Sequence, residues 1–284
     1  MPVINRSVRR ASLEPSRLTS GARKYTFDQF RQQPVCQKAT GSSLPTGATG
    51  DVNWFHTHQC SYQYSILGAG QTLLAPTIGA DGLLYGLDLT DNEGVQIVPG
   101  GRGDNVAIGK HHFTIGSASE GGAFFVRWRF KIADVSGVDE WMVMVRKVQA
   151  FQTAHTGYTD YAAIGIFTAA NPADVKVKTR LNSGTAVTTD TLFNWADGET
   201  HELEIRVDGA GRATFKINNY PLGAPVRKDA LGTAITAQST TAPPAFTFDS
   251  GDTVHPEHFA LYATTAPGAL NMKEFECGPE GSRA

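Results

Sequence analysis

Carboxylates two residues apart on a strand share one face, and two pairs on expected strands have that spacing: Glu202 with Glu204, and Glu274 with Glu276. Two carboxyl groups about 5–5.5 Å apart are what a retaining glycoside hydrolase needs. Both pairs sit next to a base (Arg206, Lys273) on the hydrophilic side of an alternating pattern, where mixed charge is ordinary, and neither is assigned catalysis. Asp139 and Glu140 are adjacent, so an extended chain points them to opposite faces. His201-Glu202 does not open a zinc-protease helix, because Ile205 stands where a second histidine is required. His56, His58 and Cys60 alternate, so a strand would bring all three to one side as part of a zinc site, but no fourth ligand is evident. Asp88, Asp91, Asn92 and Glu93 supply the oxygen ligands calcium takes, without EF-hand spacing. Arg102-Gly103-Asp104 spells an integrin-type tripeptide in a turn-rich stretch, and His111, His112, His255 and His258 read as scattered surface histidines. There is no Gly-x-Ser-x-Gly elbow and no phosphate-cradling Gly-Lys-Ser/Thr loop. The expectation is no catalytic residue, no metal site, no cofactor, and a chain that is not an enzyme.

The elements that would position any site are strands. In His201–Val207, His201, Leu203, Ile205 and Val207 face one way, while Glu202, Glu204, Arg206 and Asp208 face the other. After the turn Gly209-Ala210-Gly211, Ala213, Phe215 and Ile217 alternate with Arg212, Thr214 and Lys216. A period of two on both arms of a glycine turn predicts an antiparallel hairpin. The run Phe124–Ile132 repeats it: Phe124, Val126, Trp128, Phe130 and Ile132 against Arg127, Arg129 and Lys131. That basic face reads as solvated, because the aromatics a single-stranded nucleic acid would stack on lie on the opposite side. About a dozen such strands follow residue 73, from Leu83–Leu89 to Leu270–Glu276 and including Ala245–Phe248, separated by turn signals. Many short strands and no 3.6-residue period predict an all-β, two-sheet antiparallel jelly-roll sandwich. Gly232–Pro244 reads as a long excursion loop, and Phe27–Gln32 as a short helix capped by Thr26.

Charge divides the chain. Residues 1–40 hold eight of its 25 basic residues and two of its 27 acids, leaving 17 basic and 25 acidic residues on the remainder. A basic end on an acidic body suits docking to something negative. With weak periodicity over the first 50 residues, the division is an extended basic N-terminal arm, 1–60, and a sandwich, 61–284. Arg6, Arg9, Arg10, Arg17, Arg23, Lys24 and Arg31 are the candidate partner-binding residues. Three cysteines without a Cys-x-x-Cys pair write no disulfide framework. No apolar leader is read at the start, and no run of about 18 apolar residues is present to span a membrane.

The run Trp195-Ala196-Asp197-Gly198-Glu199-Thr200-His201-Glu202-Leu203, its return strand to Asn218-Asn219, and the closing block Phe259–Phe275 resemble the laminin-G and concanavalin A-like jelly rolls over about residues 70–277. A narrower likeness runs through Gly82–Ile97, Val135–Trp141 and Asn194–His201. It is similar to structural proteins of tailed-phage virions. That resemblance implies a capsid decoration or cement protein, assembled in the host cytoplasm and displayed on the virion. Such a protein would be a homo-oligomer (a trimer by analogy) bound to the major capsid protein through its arm, with no nucleic-acid or membrane partner. The alternative is a lectin-like module whose partner is a glycan, with Trp54, Trp195 or Tyr158 as exposed stacking residues.

Overall fold

The computed structural model describes residues 25–31, 35–38, 46–47, 52–57, 59–67, 71–72, 77–84, 94–99, 101–102, 108–109, 111–116, 122–167, 173–223, 242–262 and 270–280. Among these there is no α-helix, and two antiparallel sheets carry the architecture expected of a jelly-roll sandwich. The eight-stranded sheet runs Tyr220–Pro221, Ala213–Ile217, Thr200–Val207, Phe124–Ile132, Leu270–Pro279, Gly82–Leu84 and Thr77–Gly79, with Thr26–Asp28 also on Leu270–Pro279. The ten-stranded sheet runs Val187–Asn194, Asp174–Arg180, Tyr161–Ile166, Val138–Lys147, Thr253–Tyr262, Gly94–Pro99, Ser61–Leu67, Val52–His56 and Val35–Lys38, with Phe113–Thr114 on Thr253–Tyr262.

The core lies between the sheets, and alternation decides what enters it. From the smaller sheet come Phe124, Val126, Trp128, Phe130, Leu203, Ile205, Val207 and Phe275; from the larger come Trp141, Val143, Val145, Ile164, Val177 and Ile97. Trp128 lies opposite Leu203 on one neighbour and Phe275 on the other, so the smaller sheet centres on one aromatic row. Burying side chains of this size is worth roughly 1.5–3 kcal/mol each. Trp195, read as a stacking residue, packs edge-on against Trp141 at 4.9 Å and is fully buried. Tyr158 is fully buried as well, and the side chain of Trp54 lies outside the described residues.

Several sequence expectations change. Thr26–Asp28 is a strand paired with Phe275–Cys277, not a helix, and Phe30 at φ +46° stops any regular continuation. Strand pairing with the sandwich therefore starts, among the described residues, at Thr26. Of Ala245–Phe248 only an isolated bridge survives, Thr247 to Arg212. His111, His112, His255 and His258 are not surface residues but buried ones, at 5% exposure or less. Residues 232–241 of the excursion loop fall outside the described residues.

Candidate functional site: a charged groove on the smaller sheet

The outer faces of the two sheets differ in what covers them. On the larger sheet, Met142, Met144, Tyr161, Ala163 and Phe259 point outward and are roofed by the segment 148–160, which contributes Phe151 and Tyr158. Gln96 clamps the roof: its Oε1 accepts from Tyr158 Oη at 2.5 Å, and its Nε2 donates to the Gln152 carbonyl at 2.5 Å. Beneath it Arg146 Nε donates to Glu257 Oε2 at 2.5 Å, with the guanidinium 3.9 Å over the Tyr158 ring. Burial pushes the Glu257 carboxyl up, opposed by the Arg146 charge. His155, also buried, donates from Nδ1 to Glu140 at 2.7 Å and accepts at Nε2 from Lys178 at 2.9 Å. Burial holds Lys178 below its ordinary value. Both imidazole nitrogens are occupied, so this network locks the roof to the sheet.

The outer face of the smaller sheet is a ladder of charge. Arg127 meets Glu202 at 2.6 Å and Glu276 at 2.8 Å; Glu204 is held by Arg206 and, at 3.1 Å, by Lys216; Lys131 meets Asp81 at 2.6 Å. The basic face expected to be solvated is therefore ion-paired along its length, because the alternation that turns Arg127, Arg129 and Lys131 to the outer face also turns the acids of both neighbouring strands to it. The two acid pairs weighed for catalysis are these ladder rungs, bound to guanidinium and ammonium groups rather than facing each other across a cleft.

One groove of about 380 Å³ opens on this face, in the size range of small-ligand sites. Its floor is Arg129, Lys273 and Glu274. A bulge makes that floor: Arg129 pairs with Glu274 while Phe130 pairs with Met272, leaving Lys273 as the extra residue. A regular strand would send Lys273 and Glu274 to opposite faces; the bulge lets both line the groove while Met272 and Phe275, three apart, both enter the core.

Each wall is pinned by one aspartate. Asp28 fixes the wall Gln29-Phe30-Arg31: its Oδ1 accepts from the Phe30 backbone N–H at 3.0 Å, and its Oδ2 accepts from Tyr62 Oη at 3.0 Å and from the Thr57 hydroxyl. Asp81 fixes the opposite wall, the tip of the hairpin Thr77–Leu84, by bonding Lys131 at 2.6 Å and Lys273 at 3.2 Å. The Lys131 bond, then Lys273, keeps its carboxyl below the usual range. Gly82 at φ +107° lets this hairpin lie on the sheet, since a Cβ there would stand 2.5 Å from the Met272 carbonyl oxygen.

Of the candidate partner-binding residues, the structure brings Arg31 to this groove, exposed on its rim; Arg6, Arg9, Arg10, Arg17, Arg23 and Lys24 lie outside the described residues. So do His58, Asp88, Asp91, Asn92, Glu93, Gly103 and Asp104. The alternation of His56 and Cys60 breaks at a turn closed by Thr57 N–H to the Cys60 carbonyl, and Cys60 joins the core. Among the described residues no group of three or more His, Cys, Asp or Glu could hold a metal ion. Sequence reasoning missed Gln29, Lys273 and Asp81; only Gly79-Ala80-Asp81-Gly82, a two-residue hairpin turn between glycines, signalled one wall in advance.

No family model matches the chain, and no curated protein does. Among solved structures it is similar to the carbohydrate recognition domain of Emp47p, with TM-score 0.43 and 10% identity over 76% of this chain and 88% of that one. It is similar to the CBM2 module of the evolved Dit of Lactobacillus casei BL23 phage J-1, with TM-score 0.38 and 9% identity over 89% and 96%. A protein of unknown function from Shewanella oneidensis MR-1 aligns with TM-score 0.43 and 12% identity over 100% and 98%. At these identities and TM-scores the ligands and roles of those proteins do not transfer to this chain.

Proposed function

We propose that the protein is a non-catalytic, lectin-like module that binds a glycan in the groove between Gln29–Arg31 and the Thr77–Leu84 hairpin. One observation carries this reading: an open, predominantly polar groove on a rigid sheet face, lined by Gln29, Arg31, Arg129, Lys273 and Glu274. Sugars are recognised by such planar and charged side chains, which reach vicinal hydroxyls two at a time, and a preformed sheet floor lowers the ordering cost of binding. The acids of the groove face are engaged in ion pairs, which supports binding over hydrolysis.

A glycan array probed with the purified protein tests the reading, followed by calorimetry on the hits. Binding that is lost in Gln29→Ala and Glu274→Ala while the fold persists is expected. A clean array, or hits unaffected by either substitution, would reject it.

A second reading rests on the charge asymmetry of the sequence: a virion decoration protein anchored to the major capsid lattice by its basic N-terminal arm, displayed on the particle as a homo-oligomer. The two are compatible, since a lectin-like module on a virion would meet host glycans.

A further inference from the structure

Building on the glycan reading, we infer that the groove selects saccharides bearing an anionic substituent, a carboxylate or a sulfate ester, with Arg129 as the residue that reads the charge. Among the described residues three cations line the groove, Arg31, Arg129 and Lys273, against one carboxylate, Glu274. That carboxylate is itself shared: its Oε1 stands 3.5 Å from Arg129 and its Oε2 3.7 Å from Arg127. Arg127 is already engaged by Glu202 and Glu276, and Lys273 by Asp81. Arg129 differs. Its side chain is 46% exposed and its contact to Glu274 is long.

A guanidinium offers five donors in a planar fork, and one contact at that distance leaves a bidentate edge for a carboxylate or sulfate. Arg31, exposed on the rim, adds a second positive charge. A neutral sugar would cover Arg129 and leave its charge partly desolvated and unmatched, which costs affinity; an anion removes that cost. Asp81 is not among the described lining residues, and its carboxylate is matched by Lys131 and Lys273, which limits its repulsion of an anion.

The test is calorimetric titration of the full chain with three oligosaccharides of equal length: neutral, carboxylated (oligogalacturonate) and sulfated. The charged ligands should bind about tenfold tighter or more than the neutral one. That advantage should shrink as salt rises from about 50 mM to about 500 mM. Arg129→Gln should bring the charged ligands down to the affinity the same variant shows for the neutral one, and Arg129→Lys should keep part of the advantage. Thermal unfolding of each variant separates a lost site from a lost fold. A better carboxylated or a better sulfated ligand names the source of the charge, and either supports the inference. Equal affinity for neutral and charged oligomers overturns it while leaving the glycan reading standing. Preference for charge that survives in Arg129→Gln moves the site elsewhere and also overturns it. No binding of any oligomer removes the glycan reading, and the inference with it.

Discussion

At the scale of single residues, the protein places ionisable groups where water cannot reach, and accommodates them in different ways. Glu257 and Arg146 are both buried and answer each other. Removing one partner of a buried pair strands the other, at about 3–5 kcal/mol. Glu257→Gln should therefore lower the urea midpoint strongly, whereas replacing both with apolar residues should recover most of the loss. His258 is answered by neutrality: it donates from Nδ1 to the Met142 carbonyl at 3.0 Å among the rings of Trp128, Phe130 and Trp141. Burial drives its pKa down from 6.5 to about 3. Its stabilising contribution is complete above the unfolded value and is lost as pH falls from there toward the folded one. Between pH 7 and pH 4 that loss approaches about 3 kcal/mol. Denaturant titrations at those two pH values should show it, and His258→Gln, which keeps an N–H for Met142, should flatten the acid limb by one proton.

At the scale of elements, the groove exists because two irregular features meet a regular sheet. The bulge at Lys273 and the hairpin carrying Asp81 are local departures from pairing, and each is held by a charge contact on the outer face. Gly82→Ala tests their role. The substitution puts a methyl group at φ +107° and 2.5 Å from the Met272 carbonyl oxygen, so the hairpin must lift. A stability loss of about 1–3 kcal/mol is expected, read as a lower thermal midpoint. Glycan affinity should fall further than that loss explains, because the strand bearing Arg129 is anchored independently by Thr200–Val207. Equal affinity with a lowered midpoint would show that the hairpin is only structural.

At the scale of the whole molecule, body and N-terminal segment separate by charge, and the sandwich takes up the chain by Thr26. A chain lacking residues 1–24 should fold with an unchanged far-ultraviolet spectrum and an unfolding midpoint close to that of the full chain. On phage particles the same truncation should lose occupancy, and attachment of the full chain should weaken with salt as exposed ion pairs are screened. Retained occupancy would reject the arm as the anchor. Removal of the arm should leave glycan binding untouched, since the groove starts at Gln29.

Periodicity in the chain was sufficient for the fold class and for the faces of Thr200–Val207, Ala213–Ile217 and Phe124–Ile132, because a two-residue repeat commits every alternate side chain whatever the strand pairs with. It could not place the groove. Lys273 and Glu274 share a face only because a bulge breaks that repeat, and Gln29, Asp81 and Arg129 are far apart along the chain until pairing joins them. His255 and His258 escaped for the same reason: their strand, Thr253–Tyr262, lies in the middle of a ten-stranded sheet and buries both of its faces, and only the tertiary arrangement decides which strands occupy the middle.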